Sequence, residues 1–295
     1  MRKYFLIFTT FIILFMSGCA SAKPIIIPKS PTVIKPKTVT TKKKYQIITK
    51  DIVFDNDCLN VSGTLKVPEG DEYYPLVIID YSGEEKDQFS KAIDSFALEL
   101  LDNNIATFII DYSLSDEITA TEINALTDYL ADLDEINGSR IGLLGWDIGA
   151  TNILLAAKNS NKYESIATWA ANLKESDKNS TKILISYENS FFTHKKNRYN
   201  KFIPIKKKIV YKTTINNDFD FVSDINIPIA SFYGDEDKTA SISYSKQIQE
   251  LNTNKKSKLV LIENANHTFQ FSTDDSIIFE DLEKQTVDWF VETLT

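Results

Sequence analysis

The chain is 295 residues long and 43% hydrophobic, with nine glycines, eight prolines, two cysteines, two histidines and a formal charge of −8 at pH 7. That length and apolar content allow one substantial core, and the lack of an internal period sets repeat architectures aside. The charge is unevenly spread: nine Lys or Arg and no acidic residue fall in residues 1–44, leaving 24 basic against 41 acidic residues, near −17, in the body. Such a balance argues against nucleic acid as a partner.

At the N-terminus, Arg2 and Lys3 precede an apolar run from Tyr4 to Met16, too short to span a bilayer comfortably, and Met16-Ser17-Gly18-Cys19 follows. This pattern predicts an export signal over residues 1–19. Small residues ahead of a lone Cys resemble a bacterial lipobox, which implies cleavage before Cys19, its lipidation, and a protein anchored to the lipid bilayer without spanning it. An uncleaved anchor is the alternative. Cys58 is the other cysteine, so no disulfide is expected within the body. Residues 20–44, rich in Lys, Pro and Thr, read as an extended, flexible, disordered tether that either lies against anionic headgroups or is simply solvated.

Beyond the tether, Tyr45–Asn56 and Leu59–Val67 read as an antiparallel hairpin, and Pro75–Asp80 is a continuous apolar run suited to a central strand. Ile93, Phe96, Ala97, Leu100 and Leu101 give residues 88–102 helical spacing. The alternation continues with strand Ile105–Asp111, helix Thr119–Ile136, strand Ile141–Leu144 with a following helix, and strand Ser165–Ala170. Residues 171–224 form an irregular stretch, either a lid over a site or a solvated excursion. Strand Ile227–Tyr233, helix Ser241–Leu251, strand Lys258–Glu263 and helix Ile277–Leu294 complete the chain. Regular alternation implies an α/β fold with a mostly parallel central sheet and helices on both faces, in one domain over residues 45–295.

Three positions fall where chemistry needs them. Gly145 and Gly149 bracket Asp147 in G-x-nucleophile-x-G spacing, a sharp strand-to-helix turn that lifts one side chain at a helix N-terminus. Asp is also a good N-cap, so Asp147 reads either as a reactive carboxylate or as a turn stabiliser. Asp237 follows strand Ile227–Tyr233, with Asp235 as its local competitor, and His267 follows strand Lys258–Glu263; ligand crevices of open α/β sheets lie at such strand ends. A lone histidine is more often structural, but here it completes the order elbow, acid, histidine.

Residues 46–295 resemble an α/β-hydrolase, closest in layout to the cinnamoyl or feruloyl esterase and dienelactone-hydrolase-like branch. The resemblance is carried by Gly63–Pro68, Pro75–Gly83, Gly142–Gly149, Phe232–Asp237 and Tyr244–Phe269. It implies that a Ser at position 147 would attack an ester, His267 would take its proton and Asp237 would orient the imidazole, with the amides of Ile148 and Ser82 as oxyanion donors. The sequence departs in three places: Asp147 replaces Ser, Asp80-Tyr81 stands where His-Gly is usual, and Asp111–Leu114 lacks a glycine.

A carboxylate attacking an ester carbonyl forms a reactive mixed anhydride, so ordinary serine-esterase chemistry is not expected. Haloalkane and fluoroacetate dehalogenases and epoxide hydrolases use an elbow Asp on saturated carbon. Their His-Gly-x-Pro loop and helical cap are not evident here, and Trp146 and Trp169 are expected to pack in the core. Asp147 and Asp237 together would favour a protonated His267. Three readings stay open: an exported esterase-like hydrolase with altered chemistry, an Asp-nucleophile dehalogenase or epoxide hydrolase, and a non-catalytic surface lipoprotein that binds a small molecule or partner. The sequence holds no metal-ligand cluster, phosphate loop or cofactor fingerprint, so no cofactor and no metal are expected.

Overall fold

The computed structural model describes residues 25–27, 46–56, 59–70, 73–81, 86–112, 118–172, 182–188, 194–196, 202–204, 207–213, 219–271 and 276–295. A short strand β1 (Ile25–Ile27) pairs antiparallel with β2 (Ile47–Asn56). Cys19, Cys58 and Ser82 lie outside the described residues, as do the export signal and the rest of the tether.

The expected hairpin is present, with β2 antiparallel to β3 (Leu59–Pro68) in register from Ile47↔Pro68 to Asn56↔Leu59. Then come β4 (Tyr74–Asp80), α1 (Lys86–Asp102), β5 (Ala106–Asp111), α2 (Ala120–Ala131), β6 (Ile136–Trp146), α3 (Ile148–Lys158) and β7 (Tyr163–Trp169). The stretch expected to be irregular contains β8 (Lys182–Glu188), antiparallel to β11 (Lys207–Thr213), and β9 (His194–Lys196), antiparallel to β10 (Phe202–Pro204). Neither pair joins the central sheet. A 3-10 turn at Asp220–Asp224 leads to β12 (Ile229–Gly234), α4 (Ile242–Leu251), β13 (Lys258–Ile262) and α5 (Ser276–Leu294).

The central sheet runs β1-β2-β3-β5-β4-β6-β7-β12-β13. Every pair from β5 to β13 is parallel, and β2 and β3 add an antiparallel edge. All seven residues of β4 are buried because both sheet faces are covered. Leu76 and Ile78 point to a core that includes Ile123, Leu126 and Leu130 of α2, Ile153 and Leu154 of α3, and Ile248 of α4. Val77 and Ile79 point to the opposite core, with Phe89, Ile93, Phe96 and Leu100 of α1 and Leu282, Trp289 and Phe290 of α5. Burying one such side chain contributes roughly 1.5–3 kcal/mol, which is why apolar spacing decides which helix face turns inward.

One boundary differs from expectation. Helix α2 starts where predicted, at a capping box in which Thr119 accepts from the Glu122 amide and Glu122 accepts from the Thr119 amide. It stops at Ala131, and Ile136 opens β6 by pairing with Tyr74 on β4. The strand leading to Asp147 is therefore longer than the four residues foreseen, because sheet pairing outweighs helical propensity once a neighbouring strand is in reach. Among the described residues no helix is long and apolar enough to cross a membrane.

Candidate active site

The site is built at the C-terminal ends of β6, β12 and β13. Asp147 links β6 to α3 with φ 56° and ψ −121°, a conformation that non-glycine residues adopt only under constraint. The constraint is visible on the main chain. Its amide donates to the Trp169 carbonyl at 3.0 Å, and its carbonyl accepts from Ala150 at 3.2 Å and Asn172 at 3.1 Å. The turn also needs its two glycines. A Cβ at Gly145 would stand 2.5 Å from the Ala150 Cα, and one at Gly149 would stand 2.3 Å from the Asp80 carbonyl oxygen. Asp147 occupies the N-cap position of α3, yet its side chain makes no capping hydrogen bond. Ile148 is the first residue of α3, where an amide has no intrahelical acceptor.

Asp237 is buried whereas Asp235 is exposed, which decides between the two. One carboxylate oxygen of Asp237 accepts from the amides of Thr239 at 2.7 Å and Ala240 at 2.9 Å. Its other oxygen lies 2.9 Å from His267 Nδ1. Tyr233 Oη bridges the carbonyls of Asp237 and Ala240 at 3.0 and 3.1 Å, tying the loop to β12.

His267 sits in a loop organised by Asn266, whose side-chain oxygen accepts from the amides of Thr268 at 2.9 Å and Gln270 at 3.1 Å. That role of Asn266 was not foreseen, although Asn is the residue type whose side chain most readily substitutes for backbone in a turn. On the opposite edge, His267 Nε2 lies 3.5 Å from Asp147 Oδ1, the distance of an ion pair rather than of a short hydrogen bond. Phe89 borders the imidazole with ring centroids 6.4 Å apart and stacks on Trp146 at 3.8 Å. Trp146 and Trp169 are fully buried, as expected.

The three sequence-predicted residues Asp147, Asp237 and His267 are thus brought together, each less than a tenth exposed. Burial by itself lowers the His267 pKa. Hydrogen bonding and charge from Asp147 and Asp237 outweigh it and push the pKa from 6.5 up to about 9. A pKa raised in this way favours the protonated imidazole at neutral pH, with Asp147 and Asp237 on its two edges.

A third carboxylate adjoins the elbow. Asp80, at the end of β4 and fully buried, accepts from Tyr112 Oη and, at 3.0 Å, from Asn152 Nδ2 on α3. The sequence marks Asp80 only as a departure from His-Gly; its partners come from the residue that follows β5 and from α3, and carry no local signal.

No protein-family model matches the chain and no curated protein matches it by sequence. Solved structures do. Est1E from Butyrivibrio proteoclasticus superposes with a TM-score of 0.58 at 17% identity, over 82% of this chain and 98% of that one. The esterase domain of a Rhodothermus marinus protein gives 0.57 at 14% identity, over 85% and 100%. Dienelactone hydrolase from Anabaena variabilis ATCC 29413 gives 0.55 at 15% identity, over 80% and 93%. This is the α/β-hydrolase fold. Identities this low establish architecture alone, and an α/β-hydrolase scaffold hosts many chemistries, so function rests on the groups just described.

Proposed function

We propose that this protein is an exported, lipid-anchored hydrolase of the esterase-like branch of the α/β-hydrolase superfamily, working through a carboxylate at the elbow rather than through a serine alkoxide. The observation that carries the reading is Asp147 itself. It stands in a strained backbone conformation, forms no capping bond, and presents its carboxylate to His267. Strain of this kind persists where the surroundings impose it, and such positions concentrate at functional sites.

The chemistry follows from what a carboxylate can attack. At a saturated carbon bearing a leaving group, a new bond forms from Asp147 oxygen to that carbon, and the leaving group departs with its electron pair. Esterification removes the Asp147 charge. The His267 proton passes to the departing group or out to solvent, a loss that burial favours once Asp147 is neutral, and the imidazole, still oriented by Asp237, takes a proton from water as that water attacks the Asp147 carboxyl carbon and the resulting tetrahedral intermediate collapses to release the alcohol. Carboxylate and alcohol result, and the site returns to its starting charge.

A second reading is favoured by Asp80: a carboxylate beside the elbow, where acyl chemistry needs donors, suits a non-catalytic surface lipoprotein that keeps the fold for binding. The full-length protein, Asp147→Asn and Asp147→Ser, assayed on short-chain aryl esters, alkyl halides and epoxides, separate the two. Turnover by the unmodified protein that Asp147→Asn abolishes supports the hydrolase. Ester turnover by Asp147→Ser alone supports an intact scaffold in a non-catalytic protein, and silence on every substrate rejects the hydrolase reading. Labelling with a radioactive fatty acid, present in the unmodified protein and lost in Cys19→Ala, is the expected result for the anchor.

A further inference from the structure

Within the Lys-rich stretch 20–44, Ile25–Ile27 is a run of three β-branched residues with a proline on either side. β-branched residues favour strands, and proline has no N–H to donate, so Pro24 and Pro28 confine ladder pairing to the isoleucines between them. The run pairs with Asp51–Val53 on the outer edge of β2. An edge strand leaves a row of backbone donors and acceptors open, and β1 takes up part of that row.

The register fixes where along the sheet the chain is caught. Ile25 lies opposite Val53, Val53 opposite Ser62, and Ser62 opposite Asp111, the last residue of β5. Further along the sheet, Asp80 lies opposite Gly145, two residues before Asp147. The chain is therefore caught at the end of the sheet that carries the site, five strand spacings or roughly 24 Å from the elbow strand. Cys19 is six residues from Ile25, a reach of about 20 Å at full extension, whereas the 26 residues from Cys19 to Tyr45 would allow about 90 Å if nothing between them were fastened. The open part of the edge is apolar: Ile47 and Ile48, successive residues on opposite faces of β2, are 38% and 40% exposed. Lys42, Lys43 and Lys44 come shortly before them in sequence. Exposed apolar side chains beside a basic run are the composition of a surface that rests on anionic lipid headgroups.

We propose that Ile25–Ile27 is a strap that fastens the lipid-anchored chain to the sheet at the level of the elbow, so that the β1–β2 edge, with Ile47 and Ile48, rests on the bilayer surface. The inference rests on the lipid-anchored reading above and adds an orientation to it. Without the strap, the acidic body would stand off from anionic headgroups at the end of a long tether. With it, the β1–β2 edge is held down and β13, at the other end of the strand order, is the edge farthest from the bilayer.

The test uses the full-length lipidated protein in vesicles of phosphatidylcholine and phosphatidylglycerol that carry an energy-transfer acceptor on a lipid headgroup. With Cys58→Ser in place, a donor dye is attached to Thr49→Cys on β2 or, separately, to Leu261→Cys on β13; both positions are exposed. Transfer is expected to be about twofold or more greater from position 49, because seven strand spacings, up to about 34 Å, separate β2 from β13. Ile25→Gly, Ile26→Pro and Ile27→Gly combined are expected to abolish the difference, and Ile26→Val to keep it, with little change in unfolding temperature in either.

The comparison of positions 49 and 261 needs no change in β1, and equal transfer from the two, in protein that floats with the vesicles, overturns the strap while leaving the anchor standing. A difference that survives the triple change overturns it as well. Protein that does not float with the vesicles overturns the anchor and the strap together. Transfer between labelled copies that grows with protein density marks the edge as a contact between copies and rejects the bilayer as its partner.

Discussion

The two halves of the site are built on different principles. On the β12 and β13 side, every group around Asp237 and His267 serves to place an imidazole: backbone amides hold one carboxylate oxygen, Tyr233 ties the acid loop, and Asn266 folds the histidine loop. On the β4 side, the position adjoining the elbow is filled by the Asp80 carboxylate with its own hydroxyl and amide donors. Geometry for handling a proton is built on one side, while the other side buries a carboxylate of its own.

The largest disturbance to that comparison is expected from Gly149→Ala, which forces a methyl into the Asp80 carbonyl where both sides are backbone. It should cost about 3 kcal/mol or more of unfolding free energy by urea titration. Next is the pH dependence of stability. The His267 pKa is about 9 when folded and 6.5 in the unfolded chain, so its ion pairs contribute fully below pH 6.5, and that contribution is lost as pH rises through about 9. Its ceiling is about 3 kcal/mol. Urea midpoints should fall between these pH values in the unmodified protein and stay flat in His267→Gln over the same interval.

Asp237→Asn and Asp147→Asn sharpen the same point, since each removes one of the two charges that oppose desolvation. Nuclear magnetic resonance titration of the imidazole should show a lower His267 pKa in both. No change in either would mean that the ring is not held between the two carboxylates. The smallest effect tests a region far from the chemistry: Thr119→Ala removes the capping box of α2 and should cost about 1 kcal/mol without altering the His267 titration.

How far each feature could be read in advance depends on how local its cause is. The apolar run before Asp80, the α1 face through Phe89, Ile93, Phe96 and Leu100, and the G-x-D-x-G turn are written in neighbouring residues, and strands, helix and elbow appear where periodicity and spacing place them. The end of α2 was misplaced because Ile136 is recruited by Tyr74, some sixty positions away, a partner that no local window contains. The strand at Ile25–Ile27 has its partner similarly outside any local window, in β2.

Alternation, motif order and charge, all properties of neighbouring residues, were enough for the sequence by itself to determine the layered α/β architecture and to nominate Asp147, Asp237 and His267. Only the tertiary structure separated Asp235 from Asp237 by burial, left the Asp147 side chain without a capping hydrogen bond, and joined Asp80 to Tyr112 and Asn152. Those outcomes turn on which groups from distant strands share a buried space, and on the low dielectric there, which fixes the sign and strength of their interaction.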